Sequence, residues 1–309
     1  MPAEVGGIGV PIRYLHAPNV DASGAPSVAG VSAETMLRDV IERHGPVGFD
    51  VLVDIALYNS DHGFYATGGK AGRRGDFITS PEVGPLFGAV VARALDNWWR
   101  EAGEPEVFVV VEAGAGPGTL AKSVVRAEPA CARALRYVLV ESSAAQRAQH
   151  TTGLVLGDSA AAFAALTIPD DDGPRADLPN GPIVVSVPHL PRLPGPCVVL
   201  ANELLDNLPF GLAERTADGW DEVRVGLAGD SLVEVRVPLG ADEARSVKGL
   251  APQATPGDRI PMQRAAASWL ADARALAGAS GRVVAFDYAT TTADLAARPQ
   301  AEWLRTYRG

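Results

Sequence analysis

The run Val107-Phe108-Val109-Val110-Val111-Glu112-Ala113-Gly114-Ala115-Gly116-Pro117-Gly118 decides the fold. Residues 107–111 form a near-continuous β-branched stretch, as expected of a strand covered on both faces. Glycines then alternate along E-x-G-x-G-x-G. A nucleotide-like ligand lying over a strand end needs close backbone approach, which Cβ atoms would block. A helix read from Gly118 to about residue 127 offers unpaired N–H groups, and Pro117 suits its first turn because no donor is lost there. A dinucleotide loop usually reads G-x-G-x-x-G and cradles a pyrophosphate. Here the spacing is tighter and the acid precedes the glycines. S-adenosylmethionine (SAM) has no phosphate but has a cationic methionine end, which Glu112 suits. From this loop alone, a nicotinamide dinucleotide, SAM and a tight turn without ligand all stay open.

Outward from the loop, short apolar strands alternate with helices. Residues 137–140 read as a second strand, ending at Glu141, 23 residues after Gly118. An acid at that place accepts hydrogen bonds from ribose hydroxyls; the alternative is a solvated acid that begins the next helix beside Ser142. Residues 154–156 read as a short third strand. Asp158 beyond it can meet an adenine amino group, and Ser159 can cap the following helix or share the ligand. Residues 197–201 are a fourth strand, followed by Asn202, Glu203 and Asp206. Those polar groups lie over a ligand crevice if the strand is central, and paired carboxylates can hold a guanidinium through charge-assisted bonds. The plainer alternative is a helix start capped by Asn202. One more extended piece is read at 183–187, a hairpin at 222–227 and 232–237 with a Gly229-Asp230 turn, a helix at 261–276 and a strand at 282–287. Such alternation predicts an α/β fold: a parallel, Rossmann-like sheet with helices on both faces.

Before the loop, Ser32 reads as the N-cap of a helix ending near Gly45-Pro46. A second helix covers 49–58, and a third covers 85–102 with Trp98 and Trp99 packed on the sheet. The glycine-rich stretch 63–81 reads as irregular. Residues 1–31 read as a flexible arm without a signal peptide. The predicted organisation is this arm, an N-terminal helical region over 32–105 and a Rossmann-like core over 106–309.

The 309 residues are 47% hydrophobic, enough for a sizeable core, and no apolar run approaches the roughly 20 residues that cross a bilayer. Membrane insertion is therefore not expected. A net charge of −10 argues against nucleic acid as partner and is compatible with a basic peptide. Cys131 and Cys197 are too few for a disulfide framework or zinc site, and the five histidines show no metal spacing, so no metal is expected. Reduced thiols fit a cytoplasmic location. Neither a phosphate-binding P-loop nor a G-x-S-x-G elbow occurs.

The strings Gly45-Pro46, Ala56-Leu57-Tyr58, Gly63-Phe64-Tyr65, Gly75-Asp76-Phe77-Ile78-Thr79-Ser80-Pro81-Glu82, Phe87-Gly88 and Glu112 to Gly118 closely resemble the MidA family of SAM-dependent methyltransferases. That family includes a mitochondrial complex I assembly factor that methylates an arginine. Asn202-Glu203-Leu204-Leu205-Asp206-Asn207-Leu208-Pro209, Asp287-Tyr288 and Leu304-Arg305-Thr306-Tyr307 extend the resemblance over about residues 32–309. It implies a class I methyltransferase using SAM, with Asp76, Thr79, Ser80, Pro81 and Glu82 folding over the cofactor as a lid.

The implied acceptor is an arginine of a protein or peptide, in a respiratory complex or another cytosolic protein. Asn202, Glu203 and Asp206 would orient it, with Asp76 or Glu82 as second choices. Other acceptors compatible with the sequence are a small molecule methylated on oxygen or nitrogen, and no acceptor at all in a SAM-binding assembly factor. Departures from the family pattern are Val51 to Val53 in place of a Phe-Met pair, Asn207 in place of alanine, Ala289 in place of glycine and a longer connection over 170–196. Family members continue past this chain's end with a His-bearing loop and closing strands, so a truncated C-terminus is expected.

Overall fold

The computed structural model describes residues 32–66, 85–158, 180–193 and 195–304. The expected arm, the string 75–82, Ser159 and residues 305–307 lie outside them. Ser32 caps α1 (Ala33–His44), its hydroxyl accepting from the Thr35 N–H at 3.1 Å, and Gly45 ends the helix at φ 78°. β1 (Val47–Gly48), α2 (Phe49–Tyr58) and α3 (Pro85–Glu101) follow. The chain continues as β2 (Phe108–Ala113), α4 (Thr119–Arg126), β3 (Leu135–Val140), α5 (Ala144–Arg147), β4 (Ile183–Val187) and β5 (Val198–Asn202). Next come β6 (Gly211–Arg215), β7 (Trp220–Ala228), β8 (Ser231–Pro238), α6 (Ala241–Leu250) and β9 (Arg259–Met262). The last elements are α7 (Arg264–Ala277), β10 (Arg282–Phe286), α8 (Thr292–Ala296) and α9 (Gln300–Trp303).

One sheet has the order β10-β5-β2-β3-β4 with every neighbour parallel. Its alternating side chains build two cores. Val109, Val111, Val138, Val185, Val199 and Ala201 pack with Trp269, Ala273 and Ala277 of α7. Phe108, Val110, Tyr137, Leu139, Val184, Val198 and Leu200 pack with residues of α3 and α4. Each such Val or Leu, fully buried, is worth about 1.5–3 kcal/mol, which keeps the strands in register. This is the expected helix-covered Rossmann-like sheet. The chain moves from β2 outward to β4, then returns to the other side of β2 with β5. The strand order therefore reverses between β2 and β5, where open α/β sheets carry their ligand crevice.

The second sheet is antiparallel, in the order β1-β7-β6-β9, with β8 also paired to β7. Its hairpin turns at Gly229-Asp230 as expected, and the turn is two residues long, since Ala228 pairs with Ser231. Leu37, Ile41 and Val225 form a core there, joined by Val47, Phe49, Leu52 and Ile55. Thus α1 and α2 pack on this sheet, while α3 packs on the parallel one.

Two boundaries differ from expectation. Residues 154–156 contribute only an isolated bridge, Leu156 to Val184. Leu154 is turned into the core under the glycine loop instead of laddering, and the run 183–187 becomes the sheet strand next to β3. Pro261 lies in β9 and not in a helix, because an edge strand tolerates its missing donor; the helix begins at Arg264.

Candidate functional site

After β2 the backbone turns through Gly114, Gly116 and Gly118 at φ 65°, 53° and 77°. Residues with a Cβ pay roughly 1–2 kcal/mol for that conformation, so the alternating glycines are a backbone requirement. A Cβ on Gly114 would also come 2.8 Å from Leu204 Cδ1, which shows how closely this loop approaches the one after β5. A Cβ on Gly116 would meet nothing within 4 Å among the described residues, so none of them fills that side of the loop.

Gly118 caps α4 without a side chain, and Glu112 supplies what it lacks. The Glu112 carboxylate accepts from the Ala121 N–H in the first turn and from the Tyr137 hydroxyl at 2.7 Å. It is 3% exposed, and burial pushes it up to about 7 despite both donors. The reading of Glu112 as partner of a methionine cation is thereby redirected. Its carboxylate is committed to protein donors under the loop, and it contributes the loop's position.

Gly116 is held from both sides. Its N–H donates to Glu141 Oε2 at 2.9 Å, and its carbonyl lies 2.8 Å from His150 Nε2. Lys122 Nζ donates to the carbonyls of Pro117 (2.7 Å) and Gln149 (3.1 Å). Glu141 also accepts from the Ser143 N–H at 2.8 Å, and Arg147 donates to its backbone carbonyl at 2.7 Å. Burial raises the Glu141 carboxyl above its ordinary range, opposed by the N–H groups of Ser143 and Gly116. Asp158 is exposed, one residue beyond Gly157, whose N–H donates to the Val184 carbonyl at 2.7 Å.

At the end of β5, Asn202 Oδ1 is buried and finds no hydrogen-bond partner among the described residues. Glu203 follows at φ 50°, a left-handed backbone uncommon for a residue with a side chain. Its N–H donates to the Phe286 carbonyl at 2.8 Å. Asp206 lies in a short 3-10 turn, Leu205–Asn207, where an ordinary helix was the alternative. Burial pushes Asp206 up to about 6, and the charges of Asp287 and Glu203 add to it. Asn207 Nδ2 donates to Asp206 Oδ1 at 2.9 Å and to the Glu203 carbonyl at 3.0 Å. Asp287, after β10, fastens this turn by accepting from the Leu205 N–H at 2.7 Å.

The segment after α2 ties the two strand ends together. Tyr58 donates to the Asn207 carbonyl at 2.8 Å, and Tyr65 donates to Asn207 Oδ1 at 3.0 Å. The Ser143 hydroxyl donates to the Tyr65 carbonyl at 3.2 Å. Burial raises both phenols above their ordinary value, so they remain donors.

The structure therefore brings together Gly114, Gly116, Gly118, Glu141, Asn202, Glu203 and Asp206. Asp76, Thr79, Ser80, Pro81, Glu82 and Ser159 lie outside the described residues. Sequence reasoning missed His150, Lys122, Tyr58 and Tyr65 as parts of the site. Asp287 entered only through a family string, although its address, directly after a parallel strand, is the one that singled out Asn202.

The profile of a family described as "putative S-adenosyl-L-methionine-dependent methyltransferase" matches residues 90–308. The chain belongs to that family. Among curated relatives of this chain, the mitochondrial protein arginine methyltransferase NDUFAF7 homolog of Drosophila melanogaster is 29% identical over 75% of the chain and 55% of its own length. The mitochondrial NDUFAF7 of Rattus norvegicus is 29% identical over 72% of the chain and 50% of its own length. A Burkholderia thailandensis crystal structure with S-adenosyl-homocysteine bound matches at a TM-score of 0.62 and 27% identity, covering 77% of this chain and 57% of that one. The chain spans about half the length of the curated relatives it matches. These findings bear out the MidA-family resemblance. They overturn the expected cytoplasmic location, because these named relatives are mitochondrial proteins. A pair of unbridged cysteines could not discriminate the two compartments.

Proposed function

We propose that this chain binds SAM over the β2–α4 loop and methylates a guanidinium nitrogen of a protein arginine. One observation carries the reading. At the carboxyl ends of the neighbouring strands β2 and β5, a glycine loop with nothing beside Gly116 among the described residues accompanies a strand end that buries an Asn202 Oδ1 without a partner among them. A buried acceptor without a donor costs about 1–3 kcal/mol, which a ligand donor would recover. The names of the curated relatives support a protein arginine as acceptor.

The residues present fit the cofactor. Glu141 is oriented by the N–H groups of Gly116 and Ser143, and a carboxylate has lone pairs left for two ribose hydroxyls. Asp158 is the candidate for the adenine amino group. SAM supplies a methyl group activated by its sulfonium. The protein's part is position and electrostatics. Asn202, Glu203 and Asp206 would orient the planar guanidinium, with charge-assisted bonds to the two acids. Methylation replaces one N–H by N–CH3 and releases a proton. Asp206, raised to about 6, is ionised near neutrality and can accept it.

Labelled SAM incubated with the protein and an extract tests the reading. Label in a protein band, recovered as methylarginine, is the expected result. Label in a soluble small molecule would replace the acceptor class, and SAM binding without any transfer would replace catalysis by a binding role.

A further inference from the structure

We propose that His150 is a positioning residue for the cofactor loop: it fixes the Gly116 carbonyl, and through Gly116 it fixes the Glu141 carboxylate. The inference rests on the SAM reading above and assigns a part to a residue that no motif singles out.

The geometry is a chain of contacts. The His150 ring is 0% exposed. Its Nδ1 lies 2.8 Å from the Ser186 hydroxyl on β4, and its Nε2 lies 2.8 Å from the Gly116 carbonyl. A carbonyl can only accept, so Nε2 carries the hydrogen, and Nδ1 of the neutral ring accepts from Ser186. Burial lowers the pKa of His150, opposed by the Gly116 carbonyl and assisted by Lys122 and Arg147, which favours the neutral ring. The Gly116 carbonyl thereby selects the tautomer, and the Ser186 hydroxyl, which can donate or accept, accommodates it.

The Gly116 carbonyl could not be fixed by an ordinary helix or strand partner, because it belongs to neither. Pro117 follows it and has no N–H, so the peptide that carries the carbonyl offers no donor for a second anchor. On the other side, the Gly116 N–H donates to Glu141 Oε2. Rotation of the Gly116 peptides would break that bond and release the carboxylate. The ring also sits against the loop's end, since a Cβ on Gly118 would lie 3.2 Å from His150 Cδ2. Among the described residues nothing fills the face of Gly116 where a side chain would project, while its carbonyl meets the imidazole. One side is thus supported, and the other is left to a ligand by the described residues.

The test compares His150→Asn with His150→Gln in the full chain, using calorimetry with S-adenosyl-homocysteine and steady-state methyl transfer. The glutamine amide nitrogen reaches the place of Nε2, whereas that of asparagine reaches only the place of Nδ1. Asparagine should weaken S-adenosyl-homocysteine binding and raise the KM for SAM about tenfold or more, with kcat changed less than threefold. Glutamine should restore most of the affinity. Equal binding by the asparagine variant and wild type would overturn the inference, as would equal losses in both variants tracking a common fall in melting temperature.

A measurement on wild-type protein stands even if the asparagine variant does not fold. Nitrogen-15 imidazole spectra should show His150 protonated at Nε2 and shifted by S-adenosyl-homocysteine, with His44 and His62 unmoved. The opposite tautomer, or no shift on binding, would overturn the proposal. Wild-type protein that fails to bind S-adenosyl-homocysteine at all would remove the SAM reading itself and this inference with it.

Discussion

The loops after β2 and β5 leave neighbouring strands of one sheet, yet they treat their polar groups in opposite ways. The first is satisfied from within. Glu141, His150 and Lys122 bind its backbone, and Glu112 caps the helix that it starts. Its unusual dihedrals fall on glycine and cost little. The second keeps Glu203 at φ 50°, leaves Asn202 Oδ1 without a partner among the described residues and holds Asp206 up at about 6. The difference separates a preorganised loop from a strained strand end that carries one unsatisfied acceptor. On the proposed reading, the rigid loop holds the cofactor and the strained one meets the acceptor.

The largest expected effect tests the support side. Glu112 has its folded pKa raised to about 7, so the stability of the neutral form is complete below its unfolded value near 4.5 and is lost as pH rises through 7. Glu112→Gln should lose that slope, with roughly 3 kcal/mol separating the two pH dependences between about pH 4 and 8. Denaturant titrations of both proteins across this range measure it; parallel curves would mean that Glu112 is not a buried acid. On the other loop, Glu203→Gln should cut turnover about 100-fold while SAM affinity stays within about threefold. Unchanged turnover would remove Glu203 from the acceptor side.

Asp206 should impose a limb on the rate profile. On the proposed reading the ionised form holds the guanidinium, so kcat/KM should fall about tenfold per unit below pH 6, and Asp206→Asn should flatten the limb. Gly116→Ala sharpens the comparison further. Its Cβ meets no atom of the described residues and strains the backbone, so S-adenosyl-homocysteine should bind about tenfold more weakly with kcat retained. Gly114→Ala should also lower kcat, because its Cβ would press on Leu204 beside Glu203. The smallest change is Tyr65→Phe, which removes one bond to Asn207 and should cost about 1 kcal/mol in a thermal melt, leaving the β2 loop's ligand affinity intact.

The parallel sheet was legible because buried strands announce themselves as apolar runs, and 107–111 did so together with the glycines that follow. The piece 154–156 misled because an apolar triplet does not say whether it ladders or plugs a core, and Leu154 plugs. The antiparallel sheet was only half legible. Its hairpin is local, but β6 and β9 are short and lie more than forty residues apart, and no local pattern pairs Leu212 with Pro261. The candidate site was read at its strand ends and missed wherever a partner arrives from elsewhere.

By itself the sequence determined the Rossmann-like sheet, the glycine loop at its strand end and the acids at strand ends, because turn chemistry and burial periodicity act between near neighbours. Only the tertiary structure decided that Glu112 serves α4, that His150 supports a carbonyl 34 residues away, and that Tyr65 reaches Asn207 across 142 residues. The physical reason is range. A hydrogen bond forms within about 3 Å, and which distant groups come that close is settled by the packing of whole elements.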